Sequence, residues 1–204
     1  AAHKRWGTRP WAELVAPAIR LAEDGVVISE RTAETLSGET VRLAADPGAA
    51  AIFTKSGAPL REGDRLVQKD LAQTLRTIAE RGAEGFYDGP VAAAIVNGIV
   101  AAGGVMTLED LARYRAIPRT PLTGTYRGNT IVTFPPPSSG GIVLLQALGM
   151  LERFDLRASG AGSALTLHRI AEAERRAFAD RTVYLGDPDV VSVPVKGLLD
   201  PAYL

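Results

Sequence analysis

One stretch of the sequence combines residue types that could contact a reacting group. Three prolines, Pro135 to Pro137, lead into Ser138, Ser139, Gly140 and Gly141. Free backbone amides at the start of a helix can hold a carboxylate or an oxyanion. Before a helix, however, serine most often acts as a cap, and glycine lets two backbone segments approach closely. We therefore predict that a serine caps a helix here and that the glycines pack against a strand.

Two further sets of residues have spacings that resemble metal sites. His168 and Glu172 stand four apart on one predicted helix face, and Asp180 follows two turns later. One histidine is too few for a zinc site, and the many arginines of this helix favour a solvated or salt-bridged face. The Asp187-Pro188-Asp189 run lacks the glycine and the later acidic positions of a calcium loop, so it predicts a turn. We predict no metal and no cofactor.

The first half of the chain has the apolar spacing of helices. Position-by-position periodicity and turn signals predict helices at 11–24, about 30–44, 69–81, 90–103 and 107–114, with an irregular surface loop at 54–59. The Thr107 to Asp110 segment resembles a capping box with aspartate in place of glutamate. We expect a helical body over residues 1–117.

The pattern then changes from helical to alternating. β-branched and aromatic residues at 122–126 and 130–133 predict two antiparallel strands joined by a tight Gly128-Asn129 turn. The three prolines end the second strand because they carry no backbone donor. Helices at 140–153 and about 163–181 follow. The predicted class is α+β with helices in the majority: one incomplete domain, 1–204, with a β-hairpin over 120–134 and a helical segment over 138–184.

Composition excludes several functions. The chain has 23 basic and 23 acidic residues, so no net charge attracts it to nucleic acid or to an anionic membrane. It has no cysteine, which removes disulfides, thiolate metal sites and cysteine nucleophiles. Neither a run of 18 apolar residues nor a signal-peptide pattern occurs, and we expect both ends to be cuts within a longer protein.

Ordered blocks of the sequence resemble the γ-glutamyltransferase family along almost the whole chain. Each block alone is weak evidence, but five in the order and approximate separations of the family are specific. They are Arg5 to Thr8 with Trp11 and Ala16 to Ala18; Gly85 to Gly89; Gly103 to Leu111; Pro135 to Gly141; and Ala171 to Glu174 with Ala179 to Arg181 and Tyr184 to Asp189.

This resemblance implies an internal portion of the large subunit of an N-terminal-nucleophile hydrolase with an αββα fold. In that family a precursor cleaves itself and exposes a threonine at the start of the small subunit. The threonine attacks a γ-glutamyl amide such as that of glutathione, and the acyl group passes to water or an amino-acid acceptor. The resemblance implies a periplasmic or extracellular parent with the small subunit as partner. Because cuts at both ends would expose apolar faces, we also expect oligomers through those faces.

The sequence departs from the family pattern where chemistry is expected. The nucleophile of the family lies in a threonine pair followed by histidine, and this chain has no adjacent threonines; Thr166-Leu167-His168 comes nearest. We therefore assign no catalytic and no substrate-binding residue, and we do not transfer the family's paired-serine contacts to Ser138 and Ser139. The chain alone is expected to be inactive.

Two alternatives stay open at this stage. A related acylase or a polyglutamate transpeptidase would share the fold and the self-cleavage. A helical binding module without catalysis would instead offer its apolar helix faces to a peptide or partner helix.

Overall fold

A computed structural model describes all 204 residues, which form two compact units, Ala1–Ala116 and Ile117–Leu204. Helices dominate both units, and the strands form three two-stranded antiparallel sheets. The predicted α+β class is therefore confirmed, whereas the description as one incomplete domain stays a prediction. None of the helices combines the length and the apolar character needed to cross a membrane.

Unit 1 consists of nine helices and two short β-ladders. The helices are α1 (Ala2–Trp6), α2 (Trp11–Asp24), α3 (Glu30–Gly38), α4 (Thr40–Ala45), α5 (Pro47–Phe53), α6 (Lys69–Arg81), α7 (Glu84–Tyr87), α8 (Gly89–Ala101) and α9 (Leu108–Arg113). The strands are β1 (Val26–Val27), β2 (Thr54–Lys55), β3 (Ala58–Pro59) and β4 (Arg65–Leu66), and β1 pairs with β4 while β2 pairs with β3.

The pair α2 and α6 forms the centre of unit 1. Both helices have the predicted bounds, and their facing sides bury Val15, Ala22 and Ala72. At one end of the contact the Trp11 indole Nε1 donates to the Ile78 carbonyl at 2.9 Å. Small alanines at the contact allow close packing of the two helices.

Two predictions in unit 1 were wrong in detail, and one helix was missed. The helix expected at 30–44 is two helices, because Gly38 has poor helix propensity and Glu39 leaves the helical conformation. The helix α5 was not predicted; Asp46 begins it by accepting from the Ala49 amide at 2.8 Å. The segment 54–59 forms a small hairpin because Ser56 and Gly57 adopt positive φ angles, which supply its turn.

The capping box at the start of α9 was predicted correctly. The Thr107 hydroxyl accepts from the Asp110 amide at 3.2 Å, and the Asp110 carboxylate accepts from the Thr107 amide at 2.8 Å. The carboxylate also accepts from the Thr107 hydroxyl at 2.7 Å. These hydrogen bonds, the one from the side chain first, lower the pKa of Asp110.

Unit 2 consists of one hairpin and four helices. Its elements are β5 (Leu122–Tyr126), β6 (Asn129–Thr133), α10 (Gly140–Leu151), α11 (Leu156–Ser159), α12 (Ala164–Tyr184) and α13 (Val195–Leu198). Arg127 and Gly128 both have positive φ, as a two-residue type I′ turn requires. The turn is thus Arg-Gly rather than the predicted Gly-Asn, and Asn129 already pairs with Tyr126.

The core of unit 2 lies between α10 and α12. Ile142 and Gln146 of α10 are fully buried, and a cluster of Ala147, Leu151 and Ala173 continues the contact. The hairpin lies on the first half of α10, since a Cβ added at Gly124 would stand 2.7 Å from the Leu145 side chain. The hairpin, α10 and α12 therefore form successive layers.

We expect the α9 capping box to weaken at acid pH. Because the folded-state pKa of Asp110 is lowered, its stabilisation is complete above the pKa of an unfolded aspartate, about 3.9. It is lost as pH falls through the lowered folded-state value. An NMR titration of the Asp110 carboxyl carbon measures this pKa, and Thr107→Val should return it towards 3.9. A wild-type value at or above 3.9 would contradict the assignment.

Candidate functional site

The proline, serine and glycine residues of 135–141 form the turn between β6 and α10. We call this segment the Pro-Ser-Gly turn. It contains a cis peptide bond between Pro136 and Pro137, and α10 begins at Gly140, one residue after Ser139. The start of this helix was thus predicted correctly.

Gly141 lets the first turn of α10 press against the end of β6. A Cβ added at Gly141 would lie 2.0 Å from the Phe134 carbonyl oxygen and 2.9 Å from a methyl group of Thr133. Atoms cannot approach so closely, so only glycine fits. The close backbone packing predicted for the glycines is confirmed at Gly141, whereas Gly140 meets only the Ser138 hydroxyl at 3.7 Å.

The predicted serine cap was wrong. Ser139 precedes α10 but has φ −77° and ψ −21°, and its side chain makes no capping hydrogen bond. An effective cap residue is normally extended, which aims its oxygen at the free amides of the first turn. Instead the Ser139 hydroxyl accepts from Nε of Arg181 at 3.0 Å. The hydroxyl therefore ties the Pro-Ser-Gly turn to α12.

A buried amide forms a second link between α10 and α12. Nε2 of Gln146 donates to Oδ2 of Asp180 at 2.7 Å and to the Leu198 carbonyl at 3.1 Å. The Tyr203 hydroxyl donates to the other carboxylate oxygen of Asp180 at 2.9 Å, and this bond raises the pKa of Tyr203. The amide oxygen of Gln146 is buried and has no partner. Asp180 thus links α12 to α10 and to the segment after α13 by hydrogen bonds.

The sequence analysis identified neither Gln146 nor Asp180 as a residue that links helices. Asp180 was considered only as a distant metal ligand. Gln146 is the single strongly polar residue in the apolar run 142–151, and that contrast is the signal that could have found it. Its partners Asp180 and Leu198 lie 34 and 52 positions away, so local spacing could not indicate them.

The loop after α12 is held by an ion pair. Nη1 and Nη2 of Arg119 donate to Oδ1 and Oδ2 of Asp189 at 3.0 and 2.5 Å, and Asp187 lies 3.5 Å from the same guanidinium. Hydrogen bonding to Asp189 raises the pKa of Arg119. The amides of Val190 and Val191 donate to the Asp187 carbonyl, so the predicted turn at 187–189 is confirmed.

Two of the residues considered as metal ligands, Glu172 and Asp180, form hydrogen bonds with other side chains instead. Glu172 accepts from Arg175 at 2.7 to 3.2 Å, and this bond lowers the pKa of Glu172. Asp180 is occupied by Gln146 and Tyr203. No group of three His, Cys, Asp or Glu side chains lies close enough together to hold a metal ion. The salt-bridged face predicted for α12 is present at Glu172.

Comparison with known proteins gives matches along the full chain. The model of the γ-glutamyltranspeptidase family matches residues 1–204. The glutathione hydrolase proenzyme of Escherichia coli (strain K12) is 46% identical over 201 residues, covering 98% of this chain and 34% of that protein. The acylase ACY 1 proenzyme of Pseudomonas sp. (strain V22) is 44% identical over 199 residues, covering 98% and 36%.

A solved structure has the same fold. The γ-glutamyltranspeptidase of Helicobacter pylori matches with a TM-score of 0.95 and 46% identity, covering 98% of this chain and 58% of that chain. The fold is that of a portion of an N-terminal-nucleophile hydrolase. The chain belongs to the γ-glutamyltranspeptidase family, as the sequence blocks predicted. It spans about a third of the length of the curated relatives it matches.

Replacing Gly141 should destabilise unit 2. We expect Gly141→Ala to lower the free energy of unfolding by about 2 to 3 kcal/mol, because the new Cβ must displace the Phe134 carbonyl. Gly140→Ala is the matched control and should be neutral or stabilising by up to about 1 kcal/mol. Urea unfolding followed by circular dichroism compares the two variants. Equal stabilities would contradict the close approach.

Removing the buried amide should also destabilise unit 2. In Gln146→Leu both Oδ2 of Asp180 and the Leu198 carbonyl lose their donor, while the unpartnered amide oxygen disappears as well. The second effect offsets part of the first, so we expect a loss of about 1 kcal/mol. Gln73→Leu, at an exposed position of α6, should change stability by less than about 0.5 kcal/mol. The same urea measurement decides, and a more stable Gln146→Leu protein would contradict the linking role.

Proposed function

We propose that this chain is a large-subunit portion of a γ-glutamyltransferase. The whole protein would transfer the γ-glutamyl group of glutathione and related amides to water or to amino-acid acceptors. The observation that supports this most is the family match over residues 1–204 together with 46% identity to a glutathione hydrolase proenzyme. The word proenzyme in that relative's name is consistent with a precursor that cleaves itself.

In this proposal the reacting groups lie outside the chain. A threonine at the start of the small subunit attacks the γ-glutamyl carbonyl, and its own α-amino group takes up the hydroxyl proton. An acyl-enzyme forms, the amine leaves, and water or an acceptor amine then releases the glutamyl group. Preorganised donors stabilise the oxyanion of each tetrahedral intermediate. No residue of this chain takes a catalytic or substrate-binding role.

The contribution of the chain is positional. Ser139 bonded to Arg181 and Asp180 bonded to Gln146 hold the Pro-Ser-Gly turn and α10 against α12. Elements held together in this way can support a site that another subunit completes, because supporting elements must hold reacting groups to within about 0.5 Å. The small subunit of the same precursor is the proposed partner.

Location and assembly are proposed from the family resemblance and from surface composition. We place the parent in the periplasm or outside the cell. Several large apolar side chains are mostly exposed in this chain, among them Phe134 at 75% and Val190 at 82%. Apolar surface of this kind favours association, so we expect the small subunit or a second copy to cover part of it.

A second candidate function is that of an acylase. The acylase ACY 1 proenzyme is 44% identical, nearly as similar as the glutathione hydrolase proenzyme at 46%. Both candidates use the same acyl-enzyme chemistry and differ in the acyl group that is recognised. The matches favour either enzyme over the helical binding module.

The test compares the chain with the product of its complete reading frame. We expect the self-cleaved full-length protein to release p-nitroaniline from γ-glutamyl p-nitroanilide. The 204-residue chain alone should be slower by several powers of ten, since it lacks the nucleophile. Full-length protein in which the small subunit's first threonine is replaced by alanine is the control and should neither cleave itself nor turn over substrate.

Two results would change this conclusion. Comparable turnover by the 204-residue chain would contradict the placement of the reacting groups outside it. Faster release from a glutaryl amide than from a γ-glutamyl amide, measured with the full-length protein, would favour the acylase.

A further inference from the structure

A groove lined by basic and apolar residues lies in unit 2, away from the Pro-Ser-Gly turn. It has a volume of about 480 Å³ and follows α12 from Leu165 to Arg176, opposite the end of α10. That length of helix corresponds to about 17 Å. We call it the basic groove. None of the positioning contacts described above uses its lining residues.

The floor of the basic groove is apolar. Met150, Phe154, Leu165 and Ala173 line it together with Leu204. Leu165 is 49% exposed and Phe154 is 39% exposed, so this floor faces solvent in part. A ligand that lies in the groove would gain about 25 cal/mol for each Å² of apolar surface it covers.

The walls of the basic groove are positively charged. Arg153, Arg169 and Arg176 line it and take part in none of the ion pairs of the chain. The Arg169 guanidinium lies 4.7 Å from the centre of the Phe154 ring, which orients it beside the floor. The only acidic lining residue, Glu172, is paired with Arg175. Arg153 donates one hydrogen bond, to the Pro201 carbonyl at 3.5 Å, and keeps its other donors. The three arginines therefore have donors available to a negatively charged ligand.

We propose that the basic groove is a docking surface for an acidic amphipathic polypeptide segment. Apolar side chains of that segment would cover the floor, and its carboxylates would pair with the three arginines. The length of the groove and its apolar floor favour a helix or strand over a small free anion. Charge complementarity determines the sign of the partner: a basic segment would be repelled. This inference is independent of the proposed enzymatic function.

The experiment uses the full-length protein, of which this chain is a portion, and a fluorescent synthetic peptide of about twelve residues. That is the number of residues that a helix needs to span the groove. The peptide carries leucine and glutamate at helical spacing, and a second peptide replaces every glutamate by lysine. Fluorescence anisotropy measures each Kd at two salt concentrations. We expect binding of the glutamate peptide that weakens with salt, and at least tenfold weaker binding of the lysine peptide.

Matched variants locate the binding site. Arg169→Glu combined with Arg176→Glu should weaken binding of the glutamate peptide at least tenfold. Arg20→Glu combined with Arg31→Glu makes the same change in charge at exposed positions of unit 1 and should change Kd less than twofold. Leu165→Ala should weaken binding several-fold, whereas Leu167→Ala, equally exposed on the same helix but outside the groove, should not. Circular dichroism verifies that each variant is folded.

Four outcomes would overturn the proposal. They are no binding of the glutamate peptide to folded protein, equal binding of the lysine peptide, equal losses in the groove and control variants, and displacement of the peptide by octanoate or inorganic phosphate at equimolar concentration. The last outcome would assign the groove to a small anion instead.

Discussion

The first turn of α10 is pressed so closely onto the Phe134 carbonyl that Gly141 has no room for a side chain. This contact determines where α10 begins and how it leaves the hairpin. Gln146 lies later on the same helix, and its amide reaches Asp180 of α12 only from that position. Ser139 lies just before this contact, and its hydroxyl accepts from Arg181, the residue that follows Asp180 in α12. The contacts between α10 and α12 therefore depend on the close approach of Gly141 to the Phe134 carbonyl.

Much of the architecture could be predicted because it depends on neighbours in sequence. The helices α2 and α6 have strong apolar periodicity, and the glycine pair after three prolines indicated close packing. The partner predicted for Ser139 was wrong because helix capping is inferred from neighbours in sequence. Its hydroxyl instead accepts a hydrogen bond from Arg181, 42 positions away. The short helices α7, α11 and α13 have four residues each, too few for periodicity to appear. The network of Gln146 needed three-dimensional proximity.

Several polar side chains of unit 2 are fully engaged in holding other parts of the chain in place. The polar side chains with the most hydrogen bonds in unit 2 bind other parts of the chain. Both carboxylate oxygens of Asp180 accept hydrogen bonds, and both carboxylate oxygens of Asp189 accept from Arg119. Such saturated groups are poor candidates for proton transfer, because each has an internal partner already. The proposed function, in which the reacting groups lie outside this chain, agrees with this supporting role.

The ion pair of Arg119 and Asp189 joins residues 70 positions apart, nearly the full length of unit 2. During synthesis at about 5 to 20 residues per second, Arg119 therefore waits roughly 4 to 14 seconds before its partner has been made. Within that interval α10 ends at Leu151 and α12 at Tyr184, so α10 exists without a complete α12 for roughly 2 to 7 seconds. An apolar helix and an open two-stranded sheet edge are then exposed to other nascent chains. Translation speed between Leu151 and Tyr184 therefore sets how long the apolar face of α10 stays uncovered.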